Sequence, residues 1–506
     1  MKFFPLKLSA CLRIGSPSPF PSSLRKGEAR WPRWYDSMIS EGPAVLESLS
    51  LSPGERFGVR ASVLPTELFR LSQRAAASYA SLGCLVALLA FPATAANWPN
   101  WRGPDNDGIS PEKNLPVQWN ENKNIRWRVA LPDRGNSTPV VWGQRVFITQ
   151  TIEKENRRTV MCFDRANGKM LWQSGVTYDE KDKTHETNPH CSASPVTDGE
   201  RVVATFASAG VVCYDFNGKE LWKRDLGKQS HDWGYAASPI IQGNLCIVNH
   251  GPGEKTALVA LDKKTGKTVW QVDIPEMNPT ERNDGFAGKG RGYIGSWSTP
   301  IVVKAGGREE LIISLPGQLR AFAPATGKDL WSCDGLNPLI YTSPVYGDGA
   351  VVAMGGFFGS LMAVKPGGQG DVTKTARLWY EPRTKKNLLG SCVISGGYIY
   401  FVNMDGFAEC LELASGKSVW NERLNGTGPD SESWSSMVLS GDKLYHMNHS
   451  GDTLVLRASP RFEVIATNPL GEHSNSSVAI SNGEIFLRTH KSLWCISEVK
   501  NTASAQ

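Results

Sequence analysis

Val259-Ala260-Leu261-Asp262-Lys263-Lys264-Thr265-Gly266-Lys267-Thr268-Val269-Trp270 reads as a short apolar strand closed by an acid, a Thr-Gly-Lys turn, and a second strand carrying a tryptophan. The glycine supplies the positive φ of a tight hairpin. The pattern recurs: Gly168, Gly218, Gly327 and Gly416 each precede a lysine and lead to Trp172, Trp222, Trp331 and Trp420, while Trp379 follows a longer loop. Working outward, each unit opens on a small, hydroxyl-rich triplet. The triplets are Ser137-Thr138-Pro139, Ala193-Ser194-Pro195, Ala237-Ser238-Pro239, Ser298-Thr299-Pro300, Thr342-Ser343-Pro344, Gly390-Ser391-Cys392, Trp434-Ser435-Ser436 and Asn475-Ser476-Ser477. Between triplet and turn lies a β-branched or apolar run, from 145–149 in the first unit to 484–489 in the eighth, and helical periodicity is missing. A repeat of about 40–60 residues with this content is one four-stranded propeller blade, so the chain is predicted to be all-β with eight blades.

The ends of the array explain each other. The eighth unit stops at Ser492-Leu493-Trp494-Cys495-Ile496, one strand short, and an orphan Ile125-Arg126-Trp127-Arg128-Val129 precedes the first unit. Trp127 fits the missing strand, so the N-terminal strand is expected to close the last blade and remove the exposed edges of an open array. The seventh unit is irregular, with Phe462-Glu463-Val464 where a tryptophan is expected.

The Gly-Lys-x-x-x-Trp repeat behind Ala-Leu-Asp resembles the tryptophan-docking repeat of the pyrroloquinoline quinone dehydrogenase superfamily, over residues 98–497. That resemblance implies an eight-bladed propeller in which Trp127, Trp172, Trp222, Trp270, Trp331, Trp379 and Trp420 pack against neighbouring blades. The stretch Asn97-Trp98-Pro99-Asn100-Trp101-Arg102-Gly103-Pro104 resembles the opening of secreted bacterial quinone-repeat proteins similar to the propeller lipoprotein of outer-membrane barrel assembly. A propeller is a scaffold for many functions, so the repeat speaks to fold and not to chemistry.

The reading divides the chain into a pattern-poor extension (1–69), a signal-like segment (70–96), a lead-in (97–124), the propeller (125–499) and a tail (500–506). Arg70 and Arg74 precede an uncharged, Leu/Val/Ala-rich run ending Phe91-Pro92-Ala93-Thr94-Ala95-Ala96, the order of a basic region, an apolar core and a small-residue cleavage site. An uncleaved anchor is the other reading of this run. Export to the periplasm or beyond is the expectation, with membrane contact only through that segment. Residues 1–96 hold eleven Lys/Arg and six Asp/Glu, which leaves 44 against 43 in the remainder. Such balance excludes an electrostatic footprint for nucleic acid, and a monomer is expected. Cys162, Cys213, Cys410 and Cys495 fall in one slot of four different units, where the third unit has Ala260, and read as buried filler rather than disulfides.

Function is expected on the face where outer strands lead into the next triplet. Two of those connections, 174–192 and 274–297, are long. The face carries His190, His231, Asp232, Trp233, Tyr235, Arg291, Tyr293, Trp297, Tyr341 and Trp434 as the candidate ligand- or partner-binding set, with His185, His250, Glu432, His449 and His473 beside them. Asp232 next to His231 poises a base or braces the loop. The aromatics floor a planar or sugar ligand or plug the channel, and Arg291 suits an anion or is solvated at the surface. His185 and His190 lack the helical spacing of a hydrolytic zinc pair, so no metal site and no catalytic residue are assigned.

Two function classes follow. One is a non-catalytic extracytoplasmic binding or assembly module taking a protein or small-molecule ligand on this face. The other, implied by the resemblance, is an alcohol or sugar dehydrogenase using pyrroloquinoline quinone and calcium. The adjacent Cys-Cys pair of alcohol-oxidising members is missing, and their metal ligands find no match residue by residue, so the binding module is the favoured reading.

Overall fold

Every blade is held to the next by a bond from its opening triplet. In the computed structural model, which describes residues 96–253, 255–278, 294–382, 384 and 386–498, the Thr138 amide donates to the Ser194 hydroxyl (2.8 Å), Ser194 to Ser238 (3.0 Å) and Ser238 to Thr299 (3.0 Å). Thr299 continues to Ser343 (2.8 Å), Ser343 to Ser391 (3.0 Å), Ser391 to Ser436 (2.9 Å) and Ser436 to Ser477 (2.9 Å). Ser477 donates back to Thr138 at 3.3 Å, and a collar of eight bonds is closed. The hydroxyl of each triplet is thus a blade-to-blade acceptor. The collar also corrects the register in the last two units, where Ser436 and Ser477, not Ser435 and Ser476, take the central place.

Eight antiparallel sheets surround the channel. From inner to outer strand, blade 1 runs from Val140–Trp142 to Met170–Thr177, blade 2 from Val196–Thr197 to Glu220–Arg224, and blade 3 from Ile240–Gln242 to Thr268–Asp273. Blade 4 runs from Ile301–Ala305 to Asp329–Asp334, blade 5 from Val345–Gly347 to Arg377–Glu381, blade 6 from Val393–Ser395 to Ser418–Arg423, and blade 7 from Val438–Ser440 to Val464–Asn468. Blade 8 has three C-terminal strands, ending with Ser492–Ile496, and its outer strand is Ile125–Ala130 from the N-terminal side. The register pairs Trp127 with Cys495 and Val129 with Leu493, as the orphan strand predicts. Glu484 of blade 8, ion-paired with Arg165 of blade 1 at 2.6 Å, reinforces the seam.

The tryptophan repeat has a two-part cause. The Nε1 of Trp127, Trp172, Trp222, Trp270, Trp379 and Trp420 donates to a carbonyl near the closing turn of the following blade, at 2.7–3.1 Å. The turn glycine lies under the indole: a Cβ on Gly266 (φ +69°) would stand 2.7 Å from the Trp222 ring, and Gly168, Gly218, Gly327 and Gly416 repeat the relation with Trp127, Trp172, Trp270 and Trp379. Glycine is required there twice, for its positive φ and for the close approach. Cys162, Cys213, Ala260, Ala321, Ala363, Cys410 and Cys495 are each the cross-strand partner of the docking tryptophan in their own blade, which explains the small slot. The eight described cysteines are buried and free. Trp331 departs from the rule by donating to the buried Glu310 carboxylate at 2.8 Å, which also accepts the Gly367 amide. Trp172 and Trp379 are half-buried and the other five buried. At the outer strand of blade 7, which lacks its tryptophan, the lead-in supplies Trp119, packed in a core with Tyr445 and Val455 of blade 7 and Phe486 of blade 8.

The lead-in also closes one end of the channel. Trp98 bridges Val141 of blade 1, the Pro99 carbonyl accepts the Thr197 amide of blade 2 at 3.0 Å, and the strand Ile109–Ser110 pairs with Leu439–Ser440 of blade 7. The buried Arg102 guanidinium donates to the carbonyls of Met437 (2.6 Å) and Cys392. Between these anchors Trp101 reaches the channel. The proposed signal segment and the 1–69 extension lie outside the described residues, among which no helix is long and apolar enough to cross a membrane.

Candidate functional site

Closing one end leaves a cup, a cavity of about 530 Å³ with Trp101 as its floor and Thr138, Ser238, Thr299, Ser436 and Ser477 of the collar in its wall. That volume is the size of a small-molecule site. The rim comes from the irregular connections, and its two sides differ in chemistry.

On one side stand Trp233, Trp297, Tyr341 and Phe357. Trp233 stacks on Tyr341 (centroids 5.8 Å, 26°) and on Trp297 (6.1 Å, 27°), and Phe357 meets Trp233 and Tyr341 edge-on. Trp297 is fixed by donating to the Gly234 carbonyl at 2.9 Å. His231 stands edge-on to Trp297 at 4.9 Å, with Nε2 at 3.2 Å from the Ile294 carbonyl and Nδ1 accepting the Trp233 amide at 3.1 Å. Both ring nitrogens are therefore engaged in holding the loop, and burial lowers the pKa of His231.

The opposite side is ionisable. Asp430 and Glu432 come from the connection into blade 7, His449 from the hairpin between its two middle strands, and His473 and Asn475 from the connection into blade 8. His449 Nδ1 lies 3.2 Å from Asp430 Oδ2, its ring 5.0 Å from His473, and His473 lies 4.5 Å from His490. Trp434 meets His449 edge-on at 5.9 Å. Burial lowers the pKa of His449 and His473, and takes His490 to about 4, so these rings are neutral at pH 7. Burial, with Asp430 and Asp405 nearby, raises that of Glu432.

The 174–192 insertion ties the sides together. The Thr187 carbonyl accepts from Asn136 (3.0 Å) and Asn475 (3.4 Å), while Asn188 donates to the Trp233 carbonyl at 2.7 Å.

Of the sequence-chosen set, Trp233, Trp297, Tyr341 and Trp434 converge on the cup. Asp232 does not: it turns to solvent and pairs with Lys183 at 2.9 Å, so it poises no base. Tyr235 donates its hydroxyl to the Asn249 carbonyl at 3.1 Å and is drawn into blade 3. His190 sits in a separate small void beside the buried Arg158–Asp182 pair, with a pKa lowered to about 4, chiefly by burial. Arg291 and Tyr293 lie outside the described residues. The aromatics wall the cup, and the plug comes from Trp101 at the other end. Phe357, Asp430, His490 and Trp101 were not singled out from the sequence. Only Asp430-x-Glu432, ahead of the seventh triplet, gives a local signal.

A family model described as outer membrane protein assembly factor BamB matches residues 156–422 and, overlapping, 315–504. The chain belongs to this family of pyrroloquinoline-quinone-like repeat propellers. It is similar to BamB from Moraxella catarrhalis (TM-score 0.52, 14% identity, 75% of this chain and 99% of that one). It is similar also to the quinohemoprotein alcohol dehydrogenase from Comamonas testosteroni (TM-score 0.59, 11% identity, 86% and 85%). Polyvinylalcohol dehydrogenase of a Pseudomonas species is 22% identical over 226 residues, which are 41% of this chain and 34% of that relative. The chain thus matches about a third of the length of that curated protein.

Dehydrogenase relatives imply a quinone, and the cup tests it. Pyrroloquinoline quinone is a tricarboxylate. The described lining carries two carboxylates, three imidazoles and no Lys or Arg. No two of the described cysteines are adjacent in the sequence. These residues do not fit the group.

Proposed function

We propose that the protein is a non-catalytic, extracytoplasmic binding propeller whose cup takes an uncharged, hydroxyl-bearing ligand such as a sugar unit. The observation that carries this reading is a cavity of small-molecule size walled by stacked aromatics on one side and by acceptors, with no Lys or Arg among the described lining residues, on the other. Aromatic faces pack against the C–H faces of a ring, and the opposite wall keeps an unspent polar atom: Trp434 Nε1 is buried without a partner. Buried polar groups of this kind gain from a ligand that satisfies them. A relative named for a polyhydroxylated polymer is consistent with the class. The signal-like run at 70–96 and the resemblance to an outer-membrane assembly factor support export.

The test is tryptophan fluorescence of the purified protein, titrated with neutral oligosaccharides and with polyvinyl alcohol. A saturable change that disappears in Trp233→Ala supports the reading. Quinone retained through desalting with calcium, together with dye-linked oxidation of an alcohol, would overturn it.

A further inference from the structure

The ionisable side of the cup holds a donor set that its neighbours leave unbalanced. One ligand atom each from Asp430, Glu432 and His449 lies within 4.8 Å of the others. Two loops present them, tied by backbone bonds: the His449 amide donates to the Glu432 carbonyl (2.8 Å), the Glu432 amide to Asp430 Oδ1 (2.9 Å), and the Asp430 amide to Ser450 Oγ (3.0 Å). The two loops that carry these residues are therefore fixed before any ligand arrives, and the side chains need only close in on it.

Two features point to a cation. No described Lys or Arg forms an ion pair with Asp430 or Glu432, and among the described residues the basic partner of Asp430 is the His449 imidazole. His449 itself has a side chain 8% exposed and a buried Nε2 without any partner. Of its two nitrogens it is Nδ1, 3.2 Å from Asp430 Oδ2, that faces the carboxylates. The same spacing suits two donors around one small ion, since metal–nitrogen and metal–oxygen bonds of about 2.1 Å put neighbouring donors about 3 to 3.5 Å apart.

We propose that Asp430, Glu432 and His449 bind one first-row divalent cation of the zinc type in the wall of the cup, with the His473 ring next to His449 as the nearest further imidazole. One nitrogen and two carboxylates favour such an ion over calcium, which takes six to eight oxygens. The site adds to the binding reading without depending on it: a metal-binding measurement stands whether or not oligosaccharides bind.

The probe is Co2+, added to chelator-treated full-length protein at pH 7 and followed by its visible ligand-field bands and by calorimetry. One equivalent is expected, insensitive to excess Ca2+. His449→Gln and Glu432→Gln should each weaken it at least about tenfold, as loss of a ligand does, and Asp232→Asn should leave it unchanged. Melting curves report whether the variants fold, and the exposed Glu432 decides the matter if His449→Gln does not. Absence of saturable Co2+ binding overturns the proposal. So does undiminished binding in Glu432→Gln, which moves the ion to other histidines, or displacement by Ca2+.

Discussion

The blade boundaries and the mouth of the channel solve opposite problems with the same chain. At the boundaries one device is repeated: an indole donates to the next blade and lies on a glycine that has no room for a side chain. At the mouth the position two residues before each collar hydroxyl reaches the cavity in every unit, but its residue type varies, so stacked rings face carboxylates and imidazoles across one cavity. Stability is distributed where the sequence is periodic, and the proposed binding site is concentrated where it is not.

Removing the lead-in and closing strand, residues 97–131, is the strongest challenge to that division. It takes away the outer strand of blade 8, Trp119 and the channel floor together, so thermal unfolding followed by circular dichroism should lose its cooperativity. A parent-like melt would mean that the ring closes without them. Next in size, Trp270→Ala should destabilise by about 3–5 kcal/mol, as other large buried truncations do, while the fluorescence response of the cup survives. Loss of both together would show that boundary and mouth are not separable.

Glycine substitutions sharpen the point on a smaller scale. Gly266→Ala meets the Trp222 ring as well as a φ of +69°, whereas Gly243→Ala, at φ +57°, meets nothing within 4 Å. In chemical denaturation the second should lose about 1–2 kcal/mol, the strain of the left-handed conformation alone, and the first distinctly more. Equal losses would remove the packing half of the explanation.

A further test is a pH dependence carried by partly or fully buried histidines that do not line the cup. Burial holds His190, His250 and His490 to about 4, below the ordinary 6.5. As pH falls through 6.5 the unfolded chain takes up protons that the folded chain refuses, so stability is full above 6.5 and declines between 6.5 and about 4. Melting temperatures should fall across that window with the same slope in the parent and in Trp270→Ala. A flat profile would mean that these rings are protonated in the folded state.

The repeat made the architecture legible because each blade buries one apolar pattern against its neighbours, and that pattern is local in sequence. The closing strand was legible for the same reason, since Trp127 and its flanking residues are one unit displaced to the other end. The collar was visible only as recurring Ser and Thr, whose acceptor role depends on the amide of another blade, and its register slipped by one in the last two units. The cup was half legible. Trp233, Trp297, Tyr341 and Trp434 precede inner strands and reach it, but Tyr235, two residues from Trp233, finds a carbonyl in its own blade instead. Side-chain direction in irregular loops follows from such long-range bonds, as at Thr187, held by asparagines 51 and 288 residues away. Trp101 and Trp119 were hidden because a lead-in without periodicity does not announce which cavity it fills.

All eight bonds of the collar run in the same rotational sense, amide to the hydroxyl of the following blade, until Ser477 returns to Thr138. A circuit of that kind can be completed only when the eighth member meets the first. The collar therefore counts: a chain that gained or lost one blade would have to open the circuit and re-form it at a new circumference. An indefinitely extendable repeat is thereby given a fixed number.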